Sequence, residues 1–218
     1  MKLVMGVDEA GKGPVIGSLF ICGTMFDEKN LFKLKEIEVK DSKLLTHKKR
    51  IELAGEIKKI AKRFKIIQIK PAEIDRAVNK EEGLNLNWLE AHKTAEIINE
   101  LNPDKAFIDC PSPNIKKYKD YLLDLLNNKN IELVVEHKSD LLRLPTSAAS
   151  ILAKCAREEE MDEIKKKYGN CGPGYTSNDT TQKFVRENFD KYPEIFRKSW
   201  VTFKNYEKAK KQSKLDEF

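Results

Sequence analysis

The sequence contains few residues of the kind that bind metals through sulfur or imidazole. It has four cysteines and three histidines in 218 residues. The cysteines form no CxxC pair and the histidines lack ligand spacing, which argues against a zinc site and is typical of cysteines packed as small core hydrophobes. These residues are Cys22, Cys110, Cys155, Cys171, His47, His92 and His137.

Long apolar runs, internal repeats and long linkers are also missing. No run approaches the ~20 apolar residues of a membrane span, and no apolar segment stands ahead of a cleavage site at the N-terminus. We therefore expect a cytoplasmic protein without membrane contact. We also expect it to be a monomer. At this length we expect a main domain over residues 1–155, a helical region over 156–208 and a flexible tail over 209–218.

The composition is that of a soluble globular chain. Hydrophobic residues make up 40% and charged residues 35% of the sequence, which excludes disordered and fibrous classes. Lysine and arginine exceed the acids by 41 to 35, a formal net charge of +6. This modest excess suits a polyanionic partner without establishing one.

The hydrophobic pattern predicts an α/β fold. Residues 1–8 and 17–26 are expected to form a hairpin around Gly11–Gly17, with further strands at 65–70, 105–109 and 131–135. Helices are expected at 51–60 with Thr46 as N-cap, and at 72–79, 86–101, 118–126, 147–168, 180–189 and 193–208. The order implies a mixed five-stranded sheet flanked by helices, with a C-terminal helical cap.

Acidic residues stand where two of these strands end. Asp8 and Glu9 close the first strand and lead into Gly11-Lys12-Gly13, here called the glycine turn, and Asp109 closes the fourth strand. If the two strands are neighbours, the carboxylates converge, and they then need a hard divalent cation such as Mg²⁺ to relieve their repulsion. Two such ions support in-line displacement at phosphorus. Each acid taken singly also suits a solvated turn.

The same stretch partly matches a nucleotide-binding P-loop. Residues 6–12 read GVDEAGK, but Gly13 stands where the motif requires Ser or Thr to hold Mg²⁺. Asp8 and Glu9 would repel a nucleotide inside the phosphate cradle, and no helix clearly starts after Gly13. The P-loop interpretation is therefore disfavoured.

Several ordered motifs together resemble type 2 ribonuclease H in its archaeal form. They are DEAGKG, Asp41-Ser42-Lys43, FIDCP, SDLLRLPTSAASILAK at 139–154, GPGYTS at 172–177 and Lys198-Ser199-Trp200. The resemblance implies a ribonuclease H-like fold and hydrolysis of the RNA strand of RNA–DNA hybrids. It also implies incision 5′ to single ribonucleotides embedded in DNA, leaving 3′-hydroxyl and 5′-phosphate ends, in ribonucleotide removal and primer processing.

The resemblance also implies the site residues. Asp8, Glu9, Asp109 and Asp140 match the family's catalytic acids, which hold two Mg²⁺ or Mn²⁺ ions; Asp140 is expected in a loop after the fifth strand. The glycine turn matches the loop whose backbone touches the ribose 2′-hydroxyl, and Tyr175 the tyrosine at the ribose-to-deoxyribose junction. Further substrate-binding residues are expected at Ser42, Lys43, Ser147, Lys154 and Arg157.

The chain departs from the family pattern at two positions. Lys12 replaces the usual arginine of the glycine turn and is commoner in type 3 enzymes, which cut RNA tracts but not single ribonucleotides. Thr176 replaces the usual proline. Tyr175 favours type 2, as does a chain that opens directly on its first strand. A type 3-like hybrid ribonuclease and a non-catalytic hybrid-binding module remain alternatives.

The C-terminal residues carry a possible partner motif. Gln212, Leu215 and Phe218 have the spacing of a peptide that docks on a sliding clamp, in a helix-in-groove mode. A frayed, partly apolar tail is the alternative interpretation.

Overall fold

The structure is a computed structural model and describes residues 2–39, 45–81 and 83–215. Within these ranges no helix is both long and apolar enough to cross a membrane. The strands are β1 (Leu3–Ala10), β2 (Leu19–Asp27), β3 (Arg63–Ile69), β4 (Lys105–Asp109) and β5 (Glu132–Glu136). The helices are α1 (Leu31–Glu36), α2 (His47–Ile60), α3 (Pro71–Val78), α4 (Leu86–Leu101), α5 (Ile115–Leu125), α6 (Ser139–Leu142), α7 (Leu144–Tyr168), α8 (Asp179–Asn188) and α9 (Val201–Leu215).

The strands form one mixed five-stranded sheet in the order β3-β2-β1-β4-β5. β1 pairs antiparallel with β2, as the predicted hairpin requires. β1 also pairs parallel with β4, and β4 pairs parallel with β5. The predicted sheet with flanking helices is therefore confirmed, and β1 and β4, whose ends carry acids, are direct neighbours.

The start of α7 packs directly on the sheet because Gly6 in β1 has no side chain. A Cβ built on Gly6 would lie 2.1 Å from the Pro145 carbonyl carbon and from the Thr146 nitrogen. The Thr24 hydroxyl on β2 donates to the Pro145 carbonyl at 2.8 Å, which fixes the same approach from the next strand. These contacts bring the N-terminal turns of α7 against the strand that carries Asp8.

Most predicted elements lie within a few residues of their observed bounds, and several differ in an informative way. Thr46 caps α2 as expected, its hydroxyl accepting from the Lys49 amide. The predicted loop after β5 is instead the short helix α6, a correction that concerns Asp140. The last predicted helix is divided into a 3₁₀ turn, Pro193–Ile195, and α9, which continues past the expected end at residue 208 to Leu215.

The chain divides into two compact units. The first unit comprises residues 1–10, 20–68 and 86–156 and contains the sheet, with a core in which Val4 and Phe26 of the strands pack with Ile151 and Leu152 of α7. The second unit comprises residues 11–19, 69–85 and 157–218 and has its own core, which includes Ile16, Met161 and Phe196. The predicted division at residue 155 stays a prediction.

Candidate active site

Asp8 and Asp109 lie near the same end of two neighbouring parallel strands. β1 continues two residues past the predicted end at residue 8, so Asp8 and Glu9 stand in its last three residues, and Asp109 is the last residue of β4. Val7 of β1 is paired with Ile108 of β4, so the next residue along each strand is one of the two acids. Asp8 is buried, with 6% of its surface exposed, and Asp109 is partly buried. The convergence that the sequence predicts for these two strand ends is thus present in the first unit.

The Asp8 carboxyl is held in a nearly dry environment with other acids around it. Burial raises the pKa of Asp8 to about 8, although the Ser150 side chain and the Glu9 amide donate hydrogen bonds that favour the ionised form. The negative charges of Asp109 and Asp140 contribute to this raised pKa. The Glu9 amide lies 2.7 Å from Asp8 Oδ1. Asp8, Asp109 and Asp140 therefore share one electrostatic environment.

Asp140 reaches this environment from α6, where the sequence predicted a loop. It is 5% exposed, and the hydroxyl of Ser147 on α7 donates to its backbone carbonyl and to that of Arg143 at 3.1 Å. The Ser139 amide donates to Asp109 Oδ1 at 3.1 Å. Ser147 of α7 thus holds Asp140 through its backbone carbonyl, and Ser139 of α6 supports Asp109 through an amide donor.

The residues fit a hard divalent cation in their chemistry. A buried carboxyl whose ionisation is opposed by two further carboxylates is stabilised by a neighbouring cation, and carboxylate oxygens are the ligands that Mg²⁺ and Mn²⁺ prefer. As the side chains stand, no three acid, imidazole or thiol groups of the described residues converge tightly enough to hold an ion. The complete ligand set of Asp8, Glu9, Asp109 and Asp140 is therefore a proposal.

The glycine turn lies in the second unit, where its three carbonyl groups accept hydrogen bonds from one C-terminal segment. The Arg197 guanidinium donates to the Gly11 carbonyl at 2.5 Å and to the Lys12 carbonyl at 2.7 Å. The Trp200 indole N–H donates to the Gly13 carbonyl at 3.0 Å. Arg197 is fully buried, and burial lowers its pKa to about 10, so the guanidinium stays charged at neutral pH.

Tyr175 and Arg157 lie against the same turn. A Cβ on Gly13 would be 3.7 Å from the Tyr175 ring, and the Arg157 guanidinium stands 5.0 Å from the centre of that ring. Arg157 also donates to the Pro173 carbonyl at 2.7 Å. Gly11 has a φ of +92°, and a Cβ there would meet an Arg157 carbon at 2.8 Å, so the sequence requires glycine at this position. These predicted substrate-binding residues are brought together.

The other predicted site residues are placed in part. Lys154 is partly buried on α7, three residues before Arg157, and Gln212 is exposed on α9, which ends at Leu215. Ser42, Lys43 and Phe218 lie outside the described residues.

Four residues of the two sites were not predicted. Ser150 lies within the motif at 139–154, for which the sequence predicts no separate role of this residue. Ser139 opens the same motif and Trp200 ends the motif at 198–200. Their contacts, like those of Arg197, are with partners distant in the sequence, so no local pattern predicts them.

Comparison with known proteins gives a consistent result. The family model for ribonuclease HII matches residues 5–203. A ribonuclease HII from Pyrococcus furiosus is 40% identical over 98% of this chain and 96% of its own length.

Two solved structures are similar over nearly the whole chain. The crystal structure of ribonuclease H2 from Pyrococcus horikoshii has a TM-score of 0.87 at 36% identity, covering 95% of this chain and 98% of its own. The ribonuclease HII in a complex with PCNA from Archaeoglobus fulgidus has a TM-score of 0.80 at 35% identity, covering 93% and 96%. The chain therefore belongs to the ribonuclease HII family and is a ribonuclease H, an enzyme that hydrolyses RNA in RNA–DNA hybrids.

Proposed function

We propose that this ribonuclease H incises DNA duplexes 5′ to embedded single ribonucleotides, as well as the RNA strand of longer hybrids, and leaves 3′-hydroxyl and 5′-phosphate ends. The observation that carries the proposal is the buried Asp8 carboxyl, whose ionisation is opposed by Asp109 and Asp140. A stable fold gains nothing from three acids in a dry environment. A divalent-metal enzyme needs them there, and members of the family depend on divalent metal ions.

Asp8, Glu9, Asp109 and Asp140 are the proposed ligands of two Mg²⁺ or Mn²⁺ ions. When bound, such ions activate the attacking water and neutralise the charge that develops on the leaving oxygen. The protein's part is to orient the ligands. The Glu9 amide and the Ser150 hydroxyl hold Asp8, while the Ser139 amide holds Asp109.

The second unit supplies the residues proposed to select the cut site. Backbone N–H groups of the glycine turn are suited to bind the ribose 2′-hydroxyl, the group that distinguishes RNA from DNA. The exposed ring of Tyr175, 40% accessible, can pack on the sugar that follows. Lys12 and Thr176 replace the family's usual residues. The relative rates of cleavage at single ribonucleotides and in longer RNA tracts are therefore the most detailed part of the proposal.

Lys154 and Arg157 are proposed to contact the phosphate backbone. Residues three apart on a helix lie on one face, and both side chains belong to α7. Lysine and arginine contacts to phosphate position a duplex without reading its sequence. Ser147 on the same helix, together with Ser42 and Lys43, is proposed as a further substrate-binding residue.

A duplex with one ribonucleotide tests the proposal. The enzyme is incubated with it in Mg²⁺, in Mn²⁺ or in EDTA, beside a duplex with a four-ribonucleotide tract and an all-DNA duplex. We expect a nick 5′ to the single ribonucleotide that requires metal, and no cleavage of the all-DNA duplex. Cleavage of the tract alone would favour the type 3-like alternative, and binding without cleavage of either would favour the non-catalytic one.

We further propose that the C-terminal residues bind a sliding clamp. The support is the spacing of Gln212, Leu215 and Phe218, together with a relative from Archaeoglobus fulgidus whose structure is a complex with PCNA. Removal of residues 212–218 should abolish measurable affinity for the clamp, while Lys208→Ala on the same helix should leave it unchanged. Equal binding by the shortened protein would exclude this proposal.

A further inference from the structure

The three carbonyl groups of the glycine turn all accept from one short segment near the C-terminus. Gly11 and Lys12 accept from the Arg197 guanidinium, and Gly13 accepts from the Trp200 indole. A third guanidinium nitrogen donates to the Gly17 carbonyl at 2.9 Å, where the loop returns towards β2. One planar side chain thus binds both ends of the loop that contains the turn.

The direction of a carbonyl fixes the direction of the amide that follows it. In a trans peptide the C=O and the next N–H lie in one plane and point in opposite directions. When Arg197 binds the carbonyls of Gly11 and Lys12, it therefore turns the amides of Lys12 and Gly13 away from the buried guanidinium. Gly13 is followed by Pro14, which has no N–H, so the oriented amide donors of the turn are those two.

The Arg197–Trp200 segment is itself held firmly in the second unit. The Arg197 amide donates to the Val15 carbonyl at 2.9 Å, and the guanidinium lies 5.0 Å from the centre of the Trp200 ring. Between them, the Ser199 amide and hydroxyl donate to the Asp75 carboxylate at 2.9 and 2.6 Å. The donors to the turn are therefore pre-organised, and they lose little side-chain entropy when a ligand binds.

We propose that Arg197 and Trp200 are positioning residues for ribose recognition: Arg197 orients the Lys12 and Gly13 amides as donors to the 2′-hydroxyl, and Trp200 fixes Gly13 from its other side by binding its carbonyl. The inference rests on the proposed role of the glycine turn and assigns the residues that give the turn its shape. Lysine cannot replace Arg197 in this role, because an ammonium group lacks the planar fork that reaches several carbonyls at once.

The test measures binding preference rather than activity. Affinity is measured in EDTA for a duplex with one ribonucleotide and for the otherwise identical all-DNA duplex, and the ratio of the two Kd values is compared among variants. Trp200→Phe keeps the ring beside Arg197 but removes the donor to Gly13. Tyr168→Phe is the matched control, because it removes one hydrogen bond in the same unit, the one to Glu194 at 2.7 Å.

Loss of one donor should reduce the preference for the ribonucleotide by about 3- to 10-fold in Trp200→Phe, and Arg197→Lys should reduce it by more than about tenfold. Tyr168→Phe should keep the preference of the wild type. A merely structural role for the segment would weaken binding of both duplexes equally and leave the ratio unchanged.

The outcomes separate this inference from the function on which it rests. A wild-type protein that binds both duplexes equally would overturn the ribose-reading role of the turn. A wild-type preference that Trp200→Phe retains in full would overturn only the role of the Arg197–Trp200 segment. Because Arg197 is buried and its variant can fail to fold, Trp200→Phe alone decides, with a thermal unfolding curve of each variant to confirm the fold.

Discussion

Replacement of Asp8 by asparagine should stabilise the protein in a chelating buffer. The ordinary pKa of the side chain is 3.8, and burial raises it to about 8 in the folded state. At pH 7 the unfolded chain carries an ionised Asp8 and the folded protein chiefly a protonated one. Folding at pH 7 therefore requires Asp8 to take up a proton about three pH units above its ordinary pKa. This uptake lowers the free energy of unfolding by about 4 kcal/mol, at 1.36 kcal/mol per pH unit.

Asparagine avoids this cost because it does not ionise, and its amide oxygen can still accept from the Glu9 amide. The weaker hydrogen bond from Ser150 offsets part of the gain, by about 1 kcal/mol or more. We therefore expect Asp8→Asn to raise the free energy of unfolding by at least about 1 kcal/mol at pH 7, with about 4 kcal/mol as the ceiling.

The stability gain expected from Asp8→Asn does not change sign between pH 4 and pH 8, but its size depends on the pH. A carboxyl with a raised folded-state pKa contributes stability that is fully present below pH 4 and is lost as the pH rises to about 8. The gain from Asp8→Asn should accordingly vanish near pH 4 and grow towards pH 8.

Urea denaturation in EDTA between pH 4 and pH 8 measures the difference. Asp104→Asn is the matched control, since Asp104 precedes the other end of β4 and accepts from the Leu3 amide at 2.6 Å. An Asp8→Asn protein that is no more stable than the wild type at pH 7 would refute the claim that the buried Asp8 carboxyl destabilises the fold.

Three further outcomes follow from the same geometry. Gly6→Ala should destabilise the protein by at least about 3 kcal/mol, because the new Cβ would overlap the backbone at the start of α7. Gly55→Ala in α2, whose new Cβ meets no atom within 4 Å, should be neutral or stabilising by up to about 1 kcal/mol. Urea denaturation compares the two variants. Gly11→Ala should cost about 1–3 kcal/mol by the same assay and lower the preference for a ribonucleotide, because φ is +92° and the Ser18 carbonyl lies 2.8 Å from the new Cβ. Mn²⁺ affinity measured by calorimetry should rise up to about tenfold per pH unit from pH 6 to pH 8, since the ion must displace the proton of Asp8; a flat profile would contradict a role for Asp8 as ligand.

Much of the fold could be predicted because its elements have strong local patterns. The bounds of α4 and β4 agree with the predicted ones to the residue, since a helical period ends before Pro103 and a short apolar run is closed by Asp109. The four-residue α6 was missed because one turn has no period to detect. Its Asp140 could be named only through the resemblance to a known family.

The support of the site was less predictable than its acids. Asp8, Glu9 and Asp109 could be predicted from the sequence because each stands at or near the end of a predicted strand. The parallel pairing of β1 with β4 brings Asp8 and Asp109 to the same end of the sheet. Arg197, in contrast, binds a carbonyl 186 residues away in the sequence. No local pattern in Phe196 to Trp200 marks such a contact, because it depends on how the second unit packs.

The central claim is that the acids at the ends of β1 and β4 carry out metal-dependent hydrolysis. Its most direct test is cleavage of a duplex with one ribonucleotide by Asp109→Asn, beside Asp104→Asn from the other end of the strand. Loss of a ligand that supports transition-state charge should lower the rate at least about 100-fold in Asp109→Asn, with duplex affinity unchanged and with normal cleavage by Asp104→Asn. Cleavage by Asp109→Asn at the wild-type rate, or cleavage by the wild type in EDTA, would contradict the account.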